Sequence, residues 1–115
     1  MQYTYFPNSN VRELLVAAAL ERYQASWDEL LGSWFDRELY RAVNADFDNL
    51  RNLMAALPQF SEDLVQVVMR HAQLLLAIAK PTPPQPKAAG LAALRQKHST
   101  AIQSARGKCL RPASP

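Results

Sequence analysis

The stretch that decides the fold is SEDLVQVVMRHAQLLLAIAK, Ser61 to Lys80. Ser61 has an oxygen suited to an N-cap, and Glu62 and Asp63 put negative charge at the positive end of a helix dipole. Phe60, just before it, is placed to staple onto Val65. The polar positions Gln66, Arg70, Gln73 and Lys80 fall on one narrow strip, and Leu64, Val65, Val67, Val68, Met69, Leu74, Leu75, Leu76 and Ile78 take most of the remaining circumference. A helix that is apolar most of the way round is buried on more than one side. A plain three-helix bundle leaves each helix one broad wet face, so this helix calls for a further cover. Three occupants fit: the C-terminal segment, a second copy of the chain, or a different partner.

Upstream, Pro7 stops any earlier helix, and Asn8, Ser9 and Asn10 offer capping oxygens for a helix starting near Val11. Val16, Leu20, Tyr23, Trp27 and Leu30/Leu31 recur at spacings of three and four, which is one apolar stripe. Its end is set either at Ser26, where SWDE has capping-box form, or at Gly32, and the unbroken stripe through Trp27 favours Gly32. A second stripe joins Phe35, Leu39, Val43, Phe47, Leu50, Leu53/Met54 and Leu57, and Pro58 ends it by disfavouring helical geometry at Leu57. Glu38 with Arg41, and Asp48 with Arg51, are spaced to pair on its wet face.

Downstream, KPTPPQPK at 80–87 interrupts the helical pattern. Seven extended residues from Pro81 reach roughly 22 Å, enough either to fold a last helix back or to hold it away. Leu91, Leu94, His98, Ala101/Ile102 and Ala105 then repeat at helical spacing, but only three of them are large and aliphatic. The final RGKCLRPASP reads as a disordered end. These patterns predict an all-α chain: an antiparallel three-helix bundle, about 10–31, 34–57 and 62–80, forming a domain over 1–80. A Pro-rich linker at 81–87 follows, then a basic tail at 88–115 with a short amphipathic helix over 88–105.

The net charge of +3 averages two opposite halves. Residues 1–79 carry six arginines against all ten acids, and residues 80–115 carry seven basic residues and no acid. That division favours docking of the tail on the body, but surface attraction is modest and screened by salt. The expectation is a loosely or conditionally attached tail, with dimer formation as the better cover for the third helix.

Little here suggests chemistry. Two histidines, one cysteine and three scattered glycines supply no His-Glu-x-x-His, no Glu-x-x-His pair and no phosphate-cradling loop. No catalytic, cofactor-binding or metal-ligating residue is nominated, and a non-enzymatic role is expected. One cysteine forms no internal disulfide and fits a reducing compartment. The apolar runs Leu14–Leu20 and Leu74–Ala79 are too short to span a bilayer, and the start has no basic region of signal-peptide type. A cytoplasmic location without membrane attachment is therefore expected.

The expected function is protein–protein interaction, of adaptor, chaperone-like or regulatory kind, through an apolar helix surface and with self-association as a homodimer. The interface candidates are Trp27, Trp34, Val67, Met69, His71, Leu74, Leu76 and Ile78. His71 lies on the apolar side, where it is either a bonded core residue or a pH-sensitive contact. The aromatics Tyr23, Trp27, Trp34, Phe35, Tyr40 and Phe47 gather around the first turn, as core or as the lining of a ligand pocket. The alternative function is nucleic-acid association through residues 87–111, with Lys87, Arg95, Lys97, Arg106, Lys108 and Arg111 as phosphate contacts. No aromatic interleaves these charges to stack a base.

Overall fold

A computed structural model describes residues 8–33, 36–79 and 87–110, and the side chains within 11–33, 36–78 and 90–110. The described residues form four α-helices and no strand: α1 (Asn8–Leu31), α2 (Arg37–Ala55), α3 (Ser61–Ala79) and α4 (Lys87–Leu110), with a 3₁₀ turn at Pro58–Phe60 before α3. The linker expected at 81–87 lies, apart from Lys87, outside the described residues, as does Trp34.

The helix ends follow local chemistry. α1 runs through Ser26 and stops at Gly32, whose amide donates to the Asp28 carbonyl at 3.0 Å, while the Ser33 amide reaches the Leu30 carbonyl at 3.3 Å. The cap of α2 is Asp36. Its backbone is extended (φ −76°, ψ 128°), and its carboxylate accepts from the amides of Glu38 at 2.7 Å and Leu39 at 3.4 Å. A carboxylate satisfies two of the otherwise orphaned N–H groups of the first turn. At the other end Leu57 is extended (φ −118°, ψ 105°) before Pro58, as the clash with the proline ring requires.

Ser61 differs from its expected role as an extended N-cap. It is already helical (φ −62°, ψ −39°), because the proline-initiated 3₁₀ turn feeds directly into α3. Phe60 turns into the core, and Val65, its expected staple partner, stays 60% exposed. On the wet face of α2 Arg51 pairs with Asp48 at 3.1 Å, whereas the expected Glu38–Arg41 pair is not among the ion pairs of the described residues.

The helices run up, down, up and down. Ser26 of α1 donates to Asp46 of α2, and Tyr23 packs on Phe47, so residue numbers rise on one helix as they fall on the other. Glu21 meets Arg106 and Asp28 meets Arg95, which sets α4 antiparallel to α1. Asp63 meets Lys108, which sets it antiparallel to α3. α4 therefore lies along both α1 and α3, while α2 leans mainly on α1 and less on α3.

This is where the sequence expectation changes most. The last helix is not a short one over 88–105: it has 24 residues and continues through Arg106–Leu110, a stretch expected to be disordered. Its seat is built partly from charge, with Arg95, Arg106 and Lys108 drawn to Asp28, Glu21 and Asp63. The buried core is Val16, Leu20, Tyr23, Trp27, Leu30, Val43, Leu50, Met54, Phe60, Val67 and Leu74, to which α4 adds Ile102, Ala105 and Cys109. Cys109, expected as an ordinary free thiol in a tail, is a buried free thiol whose burial pushes its pKa up to about 11.

Candidate functional site

Two regions stand out among the described residues: a bare apolar face on α3, and a polar cluster inside the bundle.

The bare face follows from helical spacing. Val65, Val68, Met69, Ala72 and Leu76 are three and four residues apart and all are exposed, Val65 at 60% and Leu76 at 62%. The opposite side of the same helix, Val67, His71 and Leu74, is buried. α4 thus covers one side of α3 and leaves the other open. The interface candidates divide accordingly. Met69 and Leu76 face outward, Ile78 is half-buried, and Trp27, Val67, His71 and Leu74 lie inside, where they hold the bundle together. Val11, Leu14 and Leu15 near the start of α1 are also large, apolar and half-exposed.

The internal cluster unites three helices. The Tyr23 hydroxyl of α1 lies 2.7 Å from His71 Nδ1 of α3 and 3.0 Å from His98 Nε2 of α4. The Trp27 indole donates to the same His71 Nδ1 at 3.3 Å. Phe47 of α2 lies flat on the His71 ring, with centroids 3.8 Å apart and planes 5° apart. Both histidines are buried, at 5% and 4% exposure.

Hydrogen-bond logic fixes the protons. An indole N–H only donates, so His71 Nδ1 is a bare acceptor and the imidazole carries its proton on Nε2. The Tyr23 O–H then also donates to Nδ1, and its oxygen accepts from His98, which must carry its proton on Nε2. The chain reads His98 N–H to Tyr23, Tyr23 O–H to His71, and Trp27 N–H to His71. Among the described residues no buried polar side-chain atom lacks a partner.

Burial sets the charge states. It lowers His71 to about 4, against a smaller opposing pull from Asp48. It also lowers His98 to about 4, with His71 adding to the depression. The Tyr23 phenol is driven well above its usual value by the same desolvation, so all three groups are neutral near neutral pH.

Beside the cluster, an open cleft of about 510 Å³ separates the C-terminal half of α1 from the start of α4. Trp27, Leu31, Leu91 and His98 line it, with the Asp28–Arg95 pair. The aromatics Tyr23 and Trp27 are core residues, and Trp27 also borders this cleft.

Of the expected phosphate contacts, Arg95, Arg106 and Lys108 are engaged with Asp28, Glu21 and Asp63, and Lys97 is exposed. Arg111 and the side chain of Lys87 lie outside the described residues. Among the described residues no group of three or more His, Cys, Asp or Glu converges as for a metal ion, and no helix is long and apolar enough to cross a membrane.

His98 was the functional-looking residue that spacing alone did not single out. The available signal was its place on the apolar stripe of the last helix, between Leu94 and Ile102. No protein-family model, curated protein sequence or solved structure matches the chain.

Proposed function

We propose that this chain is a small helical protein–protein interaction protein that works by pairing the open face of α3 with the same face of a second copy. The observation that carries the reading is the stripe Val65, Val68, Met69, Ala72 and Leu76, exposed over three turns of a helix whose other side is buried. Under a twofold axis one patch meets itself, so an uncharged stripe needs no complementary surface elsewhere. A stable interface buries roughly 800 Å² on each partner. The stripe spans about 16 Å of helix, so flanking side chains such as Gln66 and Gln73 must contribute to the rim. An adaptor or regulatory role is the consequence of such an assembly.

Sedimentation equilibrium of the full chain tests this. A monomer–dimer equilibrium is expected in the wild type, and the double variant Val65→Ser/Leu76→Ser should be monomeric with unchanged helicity. A wild type that stays monomeric at the highest concentrations, or a double variant that dimerises equally well, overturns the reading. The nucleic-acid alternative draws less support, because three of its phosphate contacts already neutralise acids on α1 and α3.

A further inference from the structure

We propose that the Trp27–Tyr23–His71–His98 cluster is an acid-operated latch: proton uptake by the two imidazoles releases α4 from α1 and α3 while the α1–α2 hairpin stays packed.

The geometry gives the reason. In the closed bundle a proton arriving at His71 must add to Nδ1, the atom that already accepts from Tyr23 and Trp27. The new N–H could be accepted only by the Tyr23 oxygen, which already accepts from His98. The phenol hydrogen must then turn away from His71, and the network rearranges around a buried cation. A proton arriving at His98 must add to Nδ1 and leaves the Tyr23 bond intact, but it places a cation in a buried site beside His71, with ring contacts to Tyr23 and Trp27. Neither proton is accommodated while α4 is seated. When α4 swings out, His98 goes with it into water and His71 loses its cover, so both imidazoles recover ordinary basicity. Opening therefore takes up about two protons.

The surrounding charges do not remove this penalty. From α1 the cluster faces the neutral phenol of Tyr23, and Asp28 lies at the edge of the cleft bordered by His98. From α2 it faces Phe47, with Asp48 acting on His71 from a distance while paired to Arg51. From α4 it faces His98 itself, with Arg95 lining the same cleft and opposing any added positive charge. α3 contributes His71, and its neighbour Arg70 is turned to Gln73.

α4 is also the helix that acid reaches most directly. Its fully buried groups are Ile102, Ala105, Cys109 and His98, mostly small or polar, whereas α2 buries the larger apolar Val43, Leu50 and Met54. Cys109 near its end is buried and serves as a reporter of release.

The test measures reaction of Cys109 in the full chain with 4,4′-dithiodipyridine between pH 6.5 and 5.0, above the range where carboxylates titrate. Rates are normalised to a free thiol at each pH. In the wild type the open fraction should rise steeply as pH falls, approaching ~100-fold per pH unit for two protons, while the near-ultraviolet signal of Trp27 and most of the helical signal persist. His98→Gln keeps an amide donor for Tyr23 without a titrating group, and its slope should fall to ~10-fold per unit. A flat profile, an unchanged slope in His98→Gln, or simultaneous loss of all helical signal overturns the latch. Should His98→Gln leave α4 undocked at every pH, ¹⁵N spectra of the wild-type imidazoles decide. Both rings are then expected as Nε2–H tautomers at pH 7, protonating only as Cys109 opens; titration near pH 6.5 with Cys109 still protected overturns the proposal.

Discussion

α2 and α4 both lie antiparallel against α1, yet they are held by different physics. α2 brings Val43, Leu50 and Met54 into full burial against Val16, Leu20, Tyr23 and Trp27, and Ser26–Asp46 is a polar tie across that seam. α4 meets α1 through Arg106 to Glu21 at 2.9 Å, Arg95 to Asp28 at 3.2 Å, the Gln24 amide to Ser99 at 3.2 Å and Gln103 to Gln24 at 3.3 Å. Inside these polar contacts lie His98 and a few small or medium apolar groups. The first seam rests on the hydrophobic effect, which is indifferent to pH and little weakened by salt. The second rests on charges and on a neutral buried pair of histidines, so solution conditions reach it directly.

Substitution and solvent changes separate the two seams. Leu50→Ala removes a fully buried side chain from the α1–α2 seam and should cost about 2–5 kcal/mol, read as a lower midpoint in urea denaturation with the same cost at pH 7 and pH 5.5. Acid acts next. Both histidines have folded-state pKa values lowered to about 4 from an ordinary 6.5. Between those values the unfolded chain binds protons that the folded chain refuses. Stability is therefore full above pH 6.5 and falls as the pH drops towards 4, by about 3 kcal/mol for one such histidine at the lower limit. Urea midpoints across that range check the sign: an increase in stability on acidification contradicts the buried neutral pair.

Salt should act more weakly. The pairs Arg95–Asp28, Arg106–Glu21 and Lys108–Asp63 are largely exposed on at least one side, and each contributes about 0–1 kcal/mol. Raising sodium chloride from 0.05 to 0.5 M is expected to increase hydrogen exchange in α4 and to leave the central amides of α2 unchanged; equal acceleration of both erases the contrast. The smallest effect is expected from Val65→Ser, which alters only exposed surface and should shift stability by less than ~0.5 kcal/mol, measurable as a near-identical thermal midpoint at low protein concentration.

The apolar seam was legible in the sequence because its information is periodic. Val16, Leu20, Tyr23 and Trp27 on one helix, and Val43, Phe47, Leu50 and Met54 on the next, mark their buried faces by spacing alone. The breadth of the apolar surface on α3 also announced a second cover. The seat of α4 was harder to read because its buried side uses alanine, cysteine and histidine in place of large aliphatic groups. Its partners, moreover, lie 45 to 85 residues away in the chain, a separation that spacing rules do not reach. The opposite charges of the two halves pointed towards contact but named no pair. Similarly, His71 was recognisable as an apolar-side histidine, whereas Tyr23, Trp27 and His98 became its partners only through three-helix packing.

The position of α4 between α1 and α3 also gives the chain an order of assembly. Ser26 and Asp46 are 20 residues apart, so the α1–α2 hairpin closes a short loop. Tyr23 and His98 are 75 apart, and Glu21 and Arg106 are 85 apart, so the α1–α4 seam pays a larger closure entropy. Contacts this distant in sequence form slowly and late. On the ribosome the interval is longer still: at 5–20 residues per second, α4 follows the end of α3 by a few seconds. Throughout that interval α3 lacks its cover on both sides, and the nascent chain is most exposed to a neighbouring copy before the last helix has been made.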